Sequence, residues 1–302
     1  MRPIFALCSL LAFSGCAIIV TPDGNDARFE SVFSSSAIKG NGNVVSEKRA
    51  VSDLSSLSIN GPLLVEVRVG PSASLEIIGD SNLLALVHTE SVSSGPTSKL
   101  LPAAASSSTD IQKIWLDERF DSSSPIRVIY TVPALHNVIA NGSGRLSING
   151  LNGGAMSLQK GGSRIVQMEG KVSNLTISSN GSGTINAGAL ESKIAAVTIH
   201  GSGSVNLGAV RGDELNVSVN GSGSLNASGN VRNLMAHVYG SGSVDLTGMV
   251  SQTANLSSNG SGELTAAVSQ SVIAQANGSG HITVYGNPAQ RNVEGKRVSF
   301  VN

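Results

Sequence analysis

Aromatic residues make up only 3% of this 302-residue chain. A core cannot then be organised around large rings and must be assembled from Val, Ile, Leu and Ala in thin, closely packed layers. Charge is also sparse, at 13% of residues, and balanced, with 20 Lys+Arg against 20 Asp+Glu. No basic surplus draws the chain to polyanions, so nucleic acid is excluded as a partner. The five histidines, His88, His136, His200, His237 and His281, show neither close pairing nor the His-Glu spacing that metal sites use. No metal and no cofactor is expected.

Cysteine is limited to Cys8 and Cys16, and both lie at the N-terminus. There Arg2 is followed by the apolar run Ile4 to Phe13 and then by Ser14-Gly15-Cys16, the layout of a cleaved export signal. The run is well short of the ~20 residues of a membrane-spanning helix. Small residues directly before a cysteine resemble a bacterial lipobox. On that reading residues 1–16 are a lipoprotein signal peptide, Cys16 becomes the lipidated first residue of the mature chain, and Cys8 is discarded. Phe13 stands where such motifs usually carry Leu, Val or Ile, and an ordinary secretory signal cut nearby is the alternative. Ala17 in place of Asp favours the outer membrane, so the expected location is the cell envelope, through a lipid anchor. No cysteine is left for a disulfide or a thiolate metal site. Residues 17–45, with Gly, Ser, Asn and Asp interrupting every short apolar group, read as a flexible tether.

What the chain has in quantity is glycine, 35 residues, and it is periodic. A Gly-Ser-Gly turn recurs with its first glycine at Gly142, Gly181, Gly201, Gly221, Gly240, Gly260 and Gly278. From 181 onward the intervals are 20, 20, 19, 20 and 18, and a degenerate copy, Gly162-Ser163-Arg164, fills the gap before them, making eight coils. A fixed period of this size marks a solenoid, whose units bury their apolar faces only by stacking.

Alternation identifies the units as strands, as in Leu215-Asn216-Val217-Ser218-Val219 before a turn and Val205-Asn206-Leu207 after one. Aligned on the turns, Ile177, Val197, Val217, Ala236, Leu256 and Ala274 form one interior row, and Ile185, Val205, Leu225, Val244, Leu264 and Ile282 another. Asn186, Asn206, Asn226 and Asp245, then Thr265 and Thr283, fall in an outward row able to form a hydrogen-bonding ladder. The fold class is therefore all-β, a parallel β-solenoid of about 20 residues per coil. An antiparallel meander, the alternative, would not need equivalent residues to recur at one spacing.

The repeat occupies residues 141–286. Residues 46–140 differ in texture, with strands at Leu57 to Ile59, Leu63 to Val69, Leu75 to Ile78, Ile114 to Leu116 and Ile126 to Val132. They read as an irregular β segment capping the solenoid, with an exposed loop from Ser91 to Asp110. Residues 287–302 read as a C-terminal cap, where Asn287-Pro288 breaks the strand pattern and Arg291, Glu294, Lys296 and Arg297 blunt the edge.

From residue 47 to 290 the chain resembles the auto-transporter adhesin, head GIN domain family of bacterial envelope proteins. The resemblance rests on Val51 to Ile59 leading into Gly61-Pro62-Leu63-Leu64-Val65-Glu66-Val67, on Ile126 to Pro133 before the repeat, on the Gly-Ser-Gly coils, and on Tyr285-Gly286-Asn287-Pro288. It implies a β-helical fold, a surface location and an adhesive role. The chain departs from the family pattern in having Arg145, Thr184, Ser204, Ser224, Ser243 and Glu263, not Asp, after most turns.

Catalytic chemistry has little to build on. Glu169, Glu191, Asp213, Glu214, Asp245 and Glu263 share no register, so glycoside cleavage lacks its carboxyl pair and no enzyme is expected. Arg211-Gly212-Asp213 spells an adhesion tripeptide between coils, a short match read as chance. The expected function is a non-catalytic envelope module, an adhesin or polysaccharide-binding surface protein. A structural or sensory lipoprotein acting on a protein partner is the alternative, and a polysaccharide-cleaving β-helix enzyme comes after it. Cys16→Ser is expected to abolish incorporation of labelled palmitate and to release the protein from the membrane fraction; unchanged labelling would exclude Cys16 as the lipidated residue.

Overall fold

A two-residue period organises the chain, in which Leu225 points inward, Asn226 outward and Ala227 inward again. The structure is a computed structural model that describes residues 37–93, 110–116, 120–122 and 124–301. Its N-terminal strands are β1 Ile38–Lys39, β2 Val44–Arg49, β3 Ser56–Asn60, β4 Leu63–Val69, β5 Ser74–Asp80, β6 Val87–Val92, β7 Ile111–Leu116, β8 Phe120–Asp121, β9 Arg127–Val132 and β10 Asn137–Ala140. The coils follow as β11 Gly144–Gly161, β12 Ile165–Gly181, β13 Thr184–Gly201, β14 Ser204–Gly221, β15 Ser224–Gly240, β16 Ser243–Gly260 and β17 Glu263–Ala276. The last strands are β18 His281–Tyr285, β19 Gln290–Glu294 and β20 Val298–Val301.

From β11 to β17 each strand run pairs in parallel with the run one coil later. Both interior rows run in the expected register, Ile177 beside Val197 through to Ala274 and Ile185 beside Val205 through to Ile282. All are buried. Each fully buried Val, Leu or Ile contributes about 1.5–3 kcal/mol of transfer free energy. Small and large side chains also alternate, Ala187 beside Leu207 and Leu246 beside Ala266, which keeps the layers uniform without aromatic rings.

The Gly-Ser-Gly corner is where successive coils come closest. The Ser222 amide donates to the Gly201 carbonyl at 3.0 Å and the Ser224 amide to that of Gly203 at 3.1 Å. Gly221 has φ +131°, and a Cβ on it would stand 2.6 Å from the Gly201 oxygen. Both the left-handed backbone and the contact demand glycine. The opposite corner is looser, and the irregularities of register all fall near it, as between Ile148 and Leu151 and between Asn226 and Gly229. It absorbs the differences in coil length.

The N-terminal segment is partly coil and partly cap. β10 pairs in parallel with both β3 and β11, and β4 pairs in parallel with both β9 and β11, so β3, β4, β9 and β10 extend the solenoid. β5 runs antiparallel to β9 and β2 antiparallel to β5, while β6 runs antiparallel to β7 and closes another edge. A 3-10 turn spans Leu84–Leu86 between β5 and β6. Tyr130, a rare buried ring, donates to the Leu54 carbonyl at 3.2 Å, and burial pushes its pKa up to about 12.

Two boundaries and the setting of one tripeptide differ from expectation. Residues 38–39 and 44–45 are paired strand, not tether, because Val44 and Val45 supply the outer partner of β5. The C-terminal cap is itself further coil, with β19 pairing in parallel with β17 and β20 with β18, so Asn287-Pro288 interrupts the pattern only locally. Arg291 holds that segment, donating to the Pro288 carbonyl at 3.1 Å and lying 4.3 Å over the Phe300 ring. Lastly, Arg211-Gly212-Asp213, expected between coils, lies within β14, register-paired with β15 through Arg211 and Gly212; Asp213 is exposed and bound to Arg232 at 2.9 Å. Most of the expected loop from Ser91 to Asp110 lies outside the described residues, as does the signal segment with Cys16.

Gly221→Ala is expected to cost about 2–4 kcal/mol from strain and overpacking. Ser222→Ala, exposed at the same corner, should stay within about 0.5 kcal/mol. Urea unfolding checks both, and equal midpoints would show that the corner tolerates a side chain.

Candidate functional site

The strand following each corner presents one outward row in unbroken register. Asn186, Asn206, Asn226, Asp245, Thr265 and Thr283 stand side by side, one per coil. Asn206 Nδ2 donates to Asn186 Oδ1 at 3.2 Å, and Thr265 Oγ1 donates to Asp245 Oδ1 at 3.1 Å. The Asp245 carboxylate also accepts the Thr247 amide at 3.0 Å and the Thr247 hydroxyl at 2.7 Å, and these bonds hold its pKa below the usual value of 3.8. The adjacent outward row holds Thr184, Ser204, Ser224, Ser243, Glu263 and His281, with Ser204 donating to Thr184 at 3.1 Å.

The amide row continues into the N-terminal segment, which the periodicity could not reveal. Asn186 registers on Gln167, Gln167 on Ser147, Ser147 on Glu66 and Glu66 on Ile129. There the face opens into a groove of about 560 Å³ lined by Leu64, Glu66, Arg127, Ile129, Arg145 and Ser147, among others. A second depression, of about 150 Å³, shares Ser147 and Asn149 with it and reaches Gln167 and Asn186. Within the groove Glu66 is bridged to Arg68 at 2.7 Å. That hydrogen bond, with the charges of Arg68 and Arg127, holds the Glu66 carboxyl below the usual carboxylate range. The available signals were Arg145, a departure from the hydroxyl-bearing position after the turn, and Glu66 in the N-terminal motif.

The eight corner glycines, Gly142, Gly162, Gly181, Gly201, Gly221, Gly240, Gly260 and Gly278, all have positive φ. They position the face but offer it no side chain. The degenerate corner at Gly162-Ser163-Arg164 is filled from inside, because Arg164 is fully buried and donates to the carbonyls of Leu63 at 3.0 Å, Gly61 at 2.5 Å and Asn141 at 3.1 Å. Burial lowers its pKa to about 10. Lys160 is inward as well, registered on Ser179, while Gly161 takes the corner register of Asn180. The Arg164 and Lys160 cations face the interior of the early coils and take no part in the outward face.

Among the described residues no group of three or more His, Cys, Asp or Glu is placed to hold a metal ion. His88 stacks on Trp115 at 5.2 Å, and His237 lies 6.4 Å from Tyr239 in separate surroundings.

A family profile described as "Putative auto-transporter adhesin, head GIN domain" matches residues 53–211 and again 187–288. No curated protein matches the chain. Among solved structures, a "putative adhesin" from Parabacteroides distasonis is 19% identical, with a TM-score of 0.64 over 88% of this chain and 100% of that one. One from Parabacteroides merdae is 20% identical, with a TM-score of 0.65 over 88% and 99%. A "putative lipid binding protein" from Parabacteroides distasonis is 21% identical, with a TM-score of 0.60 over 88% and 100%. At these identities the structures share the fold.

Because the pKa of Asp245 is depressed in the folded state, its contribution to stability is present above pH 3.8 and is lost as the pH falls below that value through the folded pKa. Asp245→Asn should therefore be less stable than the parent at neutral pH, with the difference shrinking in acid. Thermal melting across pH 2–7 reads this, and a difference independent of pH would show that the carboxylate charge is irrelevant to the row.

Proposed function

This chain belongs to the auto-transporter adhesin, head GIN domain family, and on that premise we propose that it is a non-catalytic envelope adhesin whose outward amide face holds an extended polysaccharide. The supporting observation is the unbroken row from Glu66 through Asn186, Asn206 and Asn226 to Thr283, with donors and acceptors repeating at the strand spacing of about 4.8 Å. A polymer with a regular run of hydroxyls can meet such a row at several points, and a rigid scaffold bears no ordering cost on binding. The chain is exported and held at the outer membrane through lipidated Cys16, with the solenoid presented to the outside.

Catalysis is not part of this reading. Cleavage of a glycosidic bond needs a carboxylic acid kept protonated by a raised pKa. The carboxyls of Glu66, Glu191 and Asp245 are all shifted the other way, down.

Protein passed over immobilised envelope and host polysaccharides should be retained saturably, with no new oligosaccharide seen by mass spectrometry. Asn206→Ala combined with Asn226→Ala should weaken retention about tenfold or more while leaving the melting temperature within a few degrees. Released oligosaccharides would overturn the non-catalytic reading, and retention unaffected by the double variant would move binding off this face.

A further inference from the structure

Arg127 and Arg145 are exposed and take part in no ion pair among the described residues. Both register on Leu64, one from each side, so their backbones stand two strand spacings apart, roughly 10 Å. Two long guanidinium arms rising from that separation can close on one small anion between them. The floor beneath is apolar, formed by half-buried Leu64 and Ile129. Glu66, the carboxylate lining this groove, is already engaged by Arg68, and Arg127 adds to the field that keeps it ionised. The groove thus holds two arginines and one carboxylate, and that carboxylate is already bridged to a third arginine outside the lining. Glu76, on the far side of Ile129, is engaged by the Ser46 hydroxyl and stands beside Lys48 in the register, so the excess at this end of the face is positive.

The charge is local. In the row that holds Arg145, the next coil carries Ile165 and the later coils Thr184, Ser204, Ser224 and Ser243, and the penultimate position is Glu263. A surface of amides and hydroxyls, with the carboxylates Asp245 and Glu263 confined to the late coils, therefore leads to one cationic groove at its N-terminal end. Guanidinium forks match the two oxygens of a carboxylate.

We propose that this groove recognises a uronate unit of an acidic polysaccharide, with Arg127 and Arg145 clasping the sugar carboxylate while the amide row takes hydroxyls of the following sugars. This deepens, and rests on, the reading of the outward face as a polysaccharide-holding surface.

The test measures affinity of the full chain for polygalacturonate, for the same polymer with its carboxyls reduced, and for dextran sulfate. The expected result is binding of polygalacturonate about tenfold or more tighter than either of the others, and displacement of it by free galacturonate but not by galactose. Arg127→Gln with Arg145→Gln should bring affinity for polygalacturonate down to that for the reduced polymer; Arg145→Gln alone, at an exposed site, serves if the double variant melts early. Equal binding of acidic and reduced polymers overturns the uronate assignment alone and leaves the face intact as a neutral-glycan surface. Equal binding of dextran sulfate overturns it in favour of unselective charge attraction. Failure to bind any polymer overturns both readings together.

Discussion

Backbone stacked on backbone at the Gly-Ser-Gly corner is the contact on which the other rows depend. At Gly221 the preceding coil's carbonyl leaves no room for a Cβ, and the amides of Ser222 and Ser224 bond straight to the coil before. This close approach sets the coil-to-coil step, and the strands on either side of the corner inherit it without slippage. Interior rows of Val, Ile, Leu and Ala then fall side by side, and the core of the repeat coils closes in aliphatic layers. Coils of 18 to 20 residues remain in phase because the opposite corner takes the irregularities.

The outward face follows from the same constraint. Residues one period apart are brought to strand spacing, so amides distant in sequence become bonded neighbours, as Asn186 and Asn206 do. A solenoid converts repetition along the chain into a flat, regular surface. Where the repeat degenerates, the fold compensates from inside, as with Arg164, whose guanidinium bonds three carbonyls of the preceding turns. These bonds compensate for the solvation lost when a charged group is buried.

Much of this was legible in the residues. The period exposed the coil, alternation exposed the strands, and alignment on the turns placed Ile177 beside Val197 and Asn186 beside Asn206, since in a regular parallel stack equal phase means adjacency. What escaped were contacts between segments that share no period. The pairing of β4 with β9 and β11 carries the amide row past the repeat to Glu66, and nothing in the alternation of Leu63 to Val69 names its neighbours. The burial of Lys160 was equally hidden, because nothing in the period tells that a lysine next to a corner turns inward.

The sequence by itself determined the repeating unit, the strand state of each half-coil, the composition of the core rows and the glycine corners, because these depend on local sterics and on a two-residue period. Only the tertiary structure decided where the irregular N-terminal strands join the stack, that the C-terminal segment adds further coil, and that Arg127 and Arg145 flank one groove. Those outcomes depend on pairing between strands far apart in the chain, where several registers satisfy the same alternation and packing selects among them.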